Sequence, residues 1–172
     1  MNLSIDGTRD AQSVTPDWHV VSTKAIDGVV AREVKHVLTN NGAMLELLRT
    51  EWLGDSTRVD QVLLRTIDAG SVSAWHVHRS TTDRLFCVAG RALVVLYDAR
   101  QSSPTHTALT EYRLGPERPT LLIVPPGVFH GVKALGTGPA MLINMVNEAY
   151  SYAEPDHWRL PPDTAEIPYR FL

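Results

Sequence analysis

Short clusters of apolar residues, separated by turn signals, recur along most of the chain. They include TRVDQVLLRTI, SVSAWHVH, RLFCV, RALVVLYD, PTLLIV and PAMLINMV. Between them, glycine or proline stands where a hairpin needs a positive or a fixed φ, as in Pro125-Pro126-Gly127. This spacing predicts an all-β fold, an antiparallel barrel or sandwich of short strands joined by tight turns. The stretch AREVKHVLTN fits either a short helix or an early strand.

The pattern changes from Ser151 onward. The segment SYAEPDHWRLPPDTAEIPYRFL has several prolines and little alternation of apolar and polar residues. It predicts an ordered tail, irregular or with a short helix, that lies over the barrel instead of joining a sheet. We therefore expect one domain over residues 1–172, with a barrel core at about 42–150 and a tail at 151–172.

Composition supports a single globular domain that acts on a small molecule. The chain has 172 residues, 44% of them hydrophobic and 20% charged. A net charge of -3 and no run of Lys or Arg argue against nucleic acid or a membrane surface as partner. The polar start MNLSIDGTRD lacks a signal-peptide core, and no apolar run approaches the roughly 18 residues of a membrane span, so we expect a cytoplasmic protein.

Candidate chemistry begins with two histidines one residue apart. In a strand, His76 and His78 point to the same face, Asp83 opens the next strand, and the turn in PPGVFH directs His130 back towards them. Three histidines and a carboxylate could hold Zn, Fe, Mn, Ni or Cu. The same residues could instead form a hydrogen-bonded wall without metal. His157 lies outside these motifs, and we expect it to be solvated.

These residues follow the spacing of the two cupin motifs, with Asp in place of the usual Glu. The first motif is matched by Gly70, His76, His78, Asp83 and Gly90, and the second by Pro125, Gly127 and His130. The sequence thus resembles the cupins, and the resemblance implies a jelly-roll antiparallel β-barrel with these side chains at its mouth.

A narrower resemblance covers most of the chain and points to the dTDP-4-dehydrorhamnose 3,5-epimerase branch of the cupins. It is carried by NNGAMLE, SAWHVH, YDARQSSPT, PPGVFHGVKAL, NEAYSYAEPD and LPPDTAEIPY. It implies that His76 is a general base, Tyr150 a general acid, and Asp163 the carboxylate that orients His76. It also implies substrate contacts by Arg84, His130, Asn144, Glu46 and Gln61.

The sequence departs from that family at several positions. Ser73 and Asn41 stand where the family has arginines, Val94 replaces an aspartate and Asn144 a tyrosine. Some of the side chains expected to bind a nucleotide diphosphate are therefore missing. His78 stands where the family has glutamine, which restores the metal-type motif of other cupins.

Three hypotheses follow from these features. The first is an epimerase or isomerase that moves a proton beside the ketone of a 4-keto sugar, free or nucleotide-linked, without a cofactor and as a homodimer. The second is a metal-dependent dioxygenase, lyase or cyclase that acts on a small organic substrate. The third is a sugar-binding cupin without catalysis. The first two compete for His76, because one imidazole cannot be both base and metal ligand.

Overall fold

The computed structural model describes residues 7–18, 21, 25–54 and 57–172. Residues 1–6, on which part of the expectation about a signal peptide falls, lie outside this range. The strands are β1 (Val30–Glu33), β2 (Val37–Thr39), β3 (Gly42–Met44), β4 (Gln61–Ile67), β5 (Val72–Val77), β6 (Asp83–Ala89), β7 (Arg91–Asp98), β8 (Leu109–Leu114), β9 (Thr120–Val124), β10 (Val128–Leu135), β11 (Ala140–Val146) and β12 (Trp158–Arg159). One 3-10 turn spans Thr50–Trp52.

Two antiparallel five-stranded sheets form the body of the fold. The first has the order β1-β9-β6-β11-β4, and the second has the order β12-β5-β10-β7-β8. The predicted all-β fold of two packed antiparallel sheets is confirmed. The described strands pair into these two sheets and a separate two-stranded sheet of β2 and β3, and not into one continuous ring. The stretch AREVKHVLTN contains β1 and β2, so the strand alternative for it is the right one.

Both faces of the central strands are buried, which explains why their sequences are apolar almost without interruption. On β6, Leu85 and Cys87 face the core between the sheets, whereas Phe86 packs under the segment that contains Leu45 and Trp52. Apolar side chains are likewise buried on both faces of β7, β9, β10 and β11.

The C-terminal tail covers the outer face of the second sheet. Trp75 is fully buried there, with its ring centroid 5.2 Å from that of Phe171 and 6.1 Å from that of Tyr169. A side chain at Gly131 would collide with the Phe171 ring, so the missing side chain lets the tail approach. The expected ordered tail with packed aromatic residues is present.

Two expectations about the boundaries of the fold were wrong. The tail does join a sheet, because Trp158 and Arg159 pair with Val77 and His76 of β5, and it contains no helix. The sheets also extend before residue 42, since β1 at Val30–Glu33 pairs with β9. Both segments are ordered because their backbones pair with an edge strand. The alternation of apolar and polar residues does not reveal such pairing.

The hairpin β2–β3 and the edge strand β4 leave apolar side chains uncovered. The hairpin β2–β3 is exposed along its length, including Leu38 and Met44. The edge strand β4 exposes Val62 and Leu64. Within the described ranges there is no helix long and apolar enough to cross a membrane.

Candidate active site

A cavity of about 330 Å³ opens at one end of the space between the two sheets. Inward-facing residues of β4, β5, β6, β10 and β11 line it, together with residues of the tail. We call it the histidine cavity, because four imidazoles lie in its wall. Those imidazoles belong to His76, His78, His130 and His157.

His76 and His130 meet because their strands pair directly at these residues. In the pairing of β5 with β10, His130 lies opposite His76, and their ring centroids are 5.7 Å apart. The ring of His78 lies 5.5 Å from that of His130. The predicted convergence of the three histidines is therefore observed.

A β-bulge in β5 brings a further polar residue to His76. The register shifts between His130 opposite His76 and Val132 opposite Ser73, so that β5 has one residue more than β10 over this stretch. Ala74 and Trp75 consequently both pack on the outer face. Ser73 Oγ lies 2.8 Å from His76 Nε2, although residues three apart on a regular strand point to opposite faces.

The other ring nitrogen of His76 contacts a residue that the sequence reasoning missed. His76 Nδ1 lies 2.8 Å from Nε2 of His157, which is 81 positions further along the chain. The expectation that His157 is solvated was wrong. Asp163, expected to orient His76, is an exposed residue whose backbone carbonyl accepts a hydrogen bond from Arg170, and it does not line the cavity. Arg159 pairs directly with His76. Asp163 is four residues further along the tail and therefore lies beyond the site.

His157 is held in place by its neighbour Asp156. The Asp156 carboxylate accepts hydrogen bonds from the backbone N–H groups of Arg79, Ser80 and Thr81, at 2.8, 2.9 and 3.0 Å. Its backbone carbonyl accepts a hydrogen bond from His78 Nδ1. Although burial would raise the pKa of Asp156, these N–H donors outweigh it and hold that pKa well below its usual range.

A cation reaches the cavity from β4. The guanidinium of Arg65 lines the wall and donates a hydrogen bond to Ser73 Oγ. Burial lowers the pKa of Arg65, and repulsion from Arg159 adds to this effect. At position 73, where the family has an arginine, a guanidinium from the opposite sheet thus contacts the serine. No sequence motif marks Arg65, because it comes from a different strand.

His78, Asp83 and His130 form a compact group that could hold a metal ion. Their candidate donor atoms lie within 4.8 Å of one another. Asp83 Oδ2 lies 3.3 Å from His78 Nε2 and 3.5 Å from His130 Nε2, and Asp83 Oδ1 accepts a 2.6 Å hydrogen bond from Asn144. His76, the fourth predicted ligand, is not in this group.

Burial lowers the pKa of three imidazoles in this cavity, those of His76, His130 and His157. Burial lowers the pKa of His76 to about 3, and repulsion from His130 and His157 contributes. Burial also lowers the pKa of His157, to about 4. The pKa of His130 is lowered mainly by burial, against the opposing attraction of Asp83. A neutral His76 can accept a proton, which is what a general base requires.

Tyr150 and Gln61 lie at the mouth of the histidine cavity. Tyr150 is 48% exposed, lines the same cavity as His76, and donates its backbone N–H to Gln61 Oε1 at 3.0 Å. Asn144 also lines the cavity, but its side chain is used to hold Asp83.

Two of the predicted substrate contacts lie elsewhere. Arg84 is buried on the opposite face of β6, where its guanidinium donates to the backbone carbonyls of Arg58 and Met145. Alternation explains this, because Asp83 faces inward and its neighbour must face outward. Glu46 lies on a different surface and pairs with Arg49 at 2.7 Å.

Comparison with known families gives one clear match. The family model described as dTDP-4-dehydrorhamnose 3,5-epimerase covers residues 23–169.

Two curated relatives and one solved structure are similar over most of their lengths. The probable low-salt glycan biosynthesis epimerase Agl13 of Haloferax volcanii is 33% identical, over 80% of this chain and 89% of the relative. The spore coat polysaccharide biosynthesis protein SpsL of Bacillus subtilis is 32% identical, over 85% and 96%. The crystal structure of a dTDP sugar isomerase from Desulfovibrio desulfuricans superposes with a TM-score of 0.77 at 29% identity, over 84% of this chain and 90% of the other.

Proposed function

This chain belongs to the dTDP-4-dehydrorhamnose 3,5-epimerase family and is an epimerase-type enzyme, and we propose that it inverts a carbon beside the ketone of a nucleotide-linked 4-keto sugar. The observation that carries the proposal is the presence of His76 and Tyr150 in the wall of one cavity. We assign the general base to His76 and the general acid to Tyr150. This family's chemistry needs no cofactor. The substrate class also favours the cytoplasm as the place of the reaction.

The proposed reaction consists of two proton transfers. His76 Nε2 removes the proton from the carbon next to the ketone, and the electron pair of that bond forms an enolate. Tyr150 then donates its phenolic proton to the same carbon from the other face, which leaves an imidazolium and a phenolate. Proton exchange with solvent resets both groups. Arg65 is the cation placed to stabilise negative charge on the substrate, since Arg84 is buried elsewhere.

Proton NMR in D2O with a dTDP-4-keto-6-deoxyhexose tests these assignments. The His76→Ala variant should lose both deuterium uptake beside the ketone and formation of the epimer. The Tyr150→Phe variant should still take up deuterium, because the base remains and exchanges with D2O, but should return that deuterium to the starting face and make little epimer. Tyr152→Phe is the matched control, since Tyr152 is 91% exposed and does not line the cavity. Normal uptake by His76→Ala would contradict the proposed base.

A second candidate function is a metal-dependent enzyme on a small organic substrate. The group of His78, Asp83 and His130 supports it, and this group leaves His76 outside. Protein purified without chelator should then carry about one transition-metal ion per chain by elemental analysis, and His78→Ala should lose it. Metal-free protein that is fully active in EDTA would dismiss this alternative.

We also propose that the protein is a homodimer. The exposed apolar residues of β4 and of the hairpin β2–β3, among them Leu38, Met44, Val62 and Leu64, support coverage of these segments by a second chain. Light scattering should give twice the chain mass of 19.0 kDa, and Leu64→Lys should shift it towards the single-chain mass. A 19.0 kDa species of the unchanged protein at micromolar concentration would contradict the dimer.

A further inference from the structure

The proposed base has an imidazole as its partner where a carboxylate would be expected. His76 Nδ1 and His157 Nε2 are 2.8 Å apart, and the two rings meet edge to face at 68° with centroids 4.9 Å apart. His76 is 2% exposed. Among the described residues, the hydrogen-bond partners of its ring are Ser73 and His157, and neither is acidic.

We infer that His157 is the positioning residue of the base: it accepts the Nδ1–H of His76 and thereby fixes the tautomer and orientation of that ring. The inference rests on the proposed function, in which His76 Nε2 takes the proton. His157 acts through His76, so we call it a positioning residue and not a catalytic one.

We assign the directions of the hydrogen bonds starting from the arginine at the end of the chain of contacts. A guanidinium can only donate, so Ser73 Oγ accepts from Arg65. The Ser73 hydroxyl could accept a second hydrogen bond or donate its own proton, and we assign it as the donor to His76 Nε2, because this leaves Nε2 free of hydrogen as the proposed base requires. Nε2 therefore carries the lone pair and Nδ1 carries the hydrogen, which His157 Nε2 accepts. This is the tautomer that a base acting through Nε2 requires.

His157 can perform this role because the residues on both sides of it are anchored. Asp156 accepts the backbone N–H groups of the loop after β5. On the other side, Trp158 and Arg159 pair with β5, and the Arg79 guanidinium stacks 3.9 Å from the Trp158 ring. A positioning residue needs this rigidity, since a loosely held partner would leave the base free to rotate.

Substitutions at position 157 separate hydrogen bonding from mere filling of space. His157→Leu keeps bulk but cannot accept, and we expect kcat to fall about 10- to 100-fold with KM changed less than about twofold. His157→Gln can place an acceptor oxygen near the site of Nε2, and it should recover most of that loss. His36→Ala is the control, because His36 is exposed and its ring contacts Pro116.

A spectroscopic readout shows the bond itself. In the unchanged protein, the hydrogen-bonded Nδ1–H of His76 should give a low-field proton signal, assigned by its absence in His76→Ala. The signal should disappear in His157→Leu and persist in His157→Gln. Thermal unfolding of each variant establishes that the folded state is being compared.

The experiments distinguish failure of His76 as the base from failure of His157 as its positioning residue. Normal deuterium uptake by His76→Ala would refute the proposed base, and the role of His157 with it. An inactive His76→Ala together with a fully active His157→Leu would overturn only the positioning role. A folded His157→Gln that is as slow as His157→Leu, with no low-field signal, would also overturn it.

Discussion

Replacing Asp156 with alanine should destabilise the protein far more than an ordinary surface substitution. The change removes the acceptor of three backbone N–H groups and of the Ser80 and Thr81 hydroxyls, at 3.0 and 3.1 Å. Removing a hydrogen bond to a charged acceptor costs about 1.5–3 kcal/mol where water cannot take its place. Water can replace the acceptor at exposed Arg79 and Ser80 but poorly at buried Thr81. We therefore expect a total loss of about 3 kcal/mol.

Thermal unfolding measures this loss directly. For a chain of this size, about 3 kcal/mol corresponds to a fall in Tm of about 6–12 °C. Asp163→Ala is the matched control, because Asp163 is exposed, lies in the same tail, and accepts its hydrogen bond through the backbone. It should change Tm by no more than about 2 °C.

A third variant tests the assignment atom by atom. Oδ2 of Asp156 accepts from Ser80 and Thr81, whereas Oδ1 accepts only from Arg79. Asp156→Asn can keep its oxygen at the Oδ2 position, so we expect a loss between those of the other two variants. An Asp156→Ala protein as stable as the unchanged one, or equal losses in Asp156→Ala and Asp163→Ala, would refute the reasoning.

Three further results are expected. Trp75→Ala should cost about 3–5 kcal/mol in urea unfolding, because a fully buried indole and its packing with the tail are lost; a cost under about 1 kcal/mol would contradict the packing. His76→Ala should abolish turnover yet change stability little, since the side chain borders an open cavity; an equal loss of both would make it a structural histidine. Burial lowers the pKa of His76 to about 3 from its ordinary value of 6.5, so the unfolded chain binds an extra proton between these values. Stability should therefore fall as pH drops below about 6.5, less steeply in His76→Ala, and an identical decline in both proteins would oppose this.

Local pattern was sufficient to predict most of the fold and part of the site. Apolar clusters and glycine or proline turns identify the strands, because burial and backbone geometry act over a few residues. The convergence of His76, His78 and His130 followed from alternation on a strand and from one turn. Alternation would also have excluded Arg84, since it adjoins the inward-facing Asp83.

The rest of the site depends on contacts that no local pattern encodes. His157 reaches His76 across 81 positions because Asp156 binds the loop after β5 and β12 pairs with its edge. Resemblance pointed instead to Asp163, and the register of the tail placed it outside the site. Arg65 likewise reaches Ser73 from a strand of the opposite sheet.

The β-bulge in β5 divides that strand into two segments with opposite phases of alternation. Counting alternate residues from His78 through His76 assigns Ser73 to the outer surface, although it belongs to the inner one. Loss of one residue between Ser73 and His76 would restore a regular strand with the histidines in place. The serine would then stand two positions before His76, still on the inner face, so its place beside Nε2 does not depend on the extra residue. The extra residue instead adds outward packing: it lets two consecutive side chains, Ala74 and Trp75, both face the C-terminal tail while Ser73 and His76 both face inward.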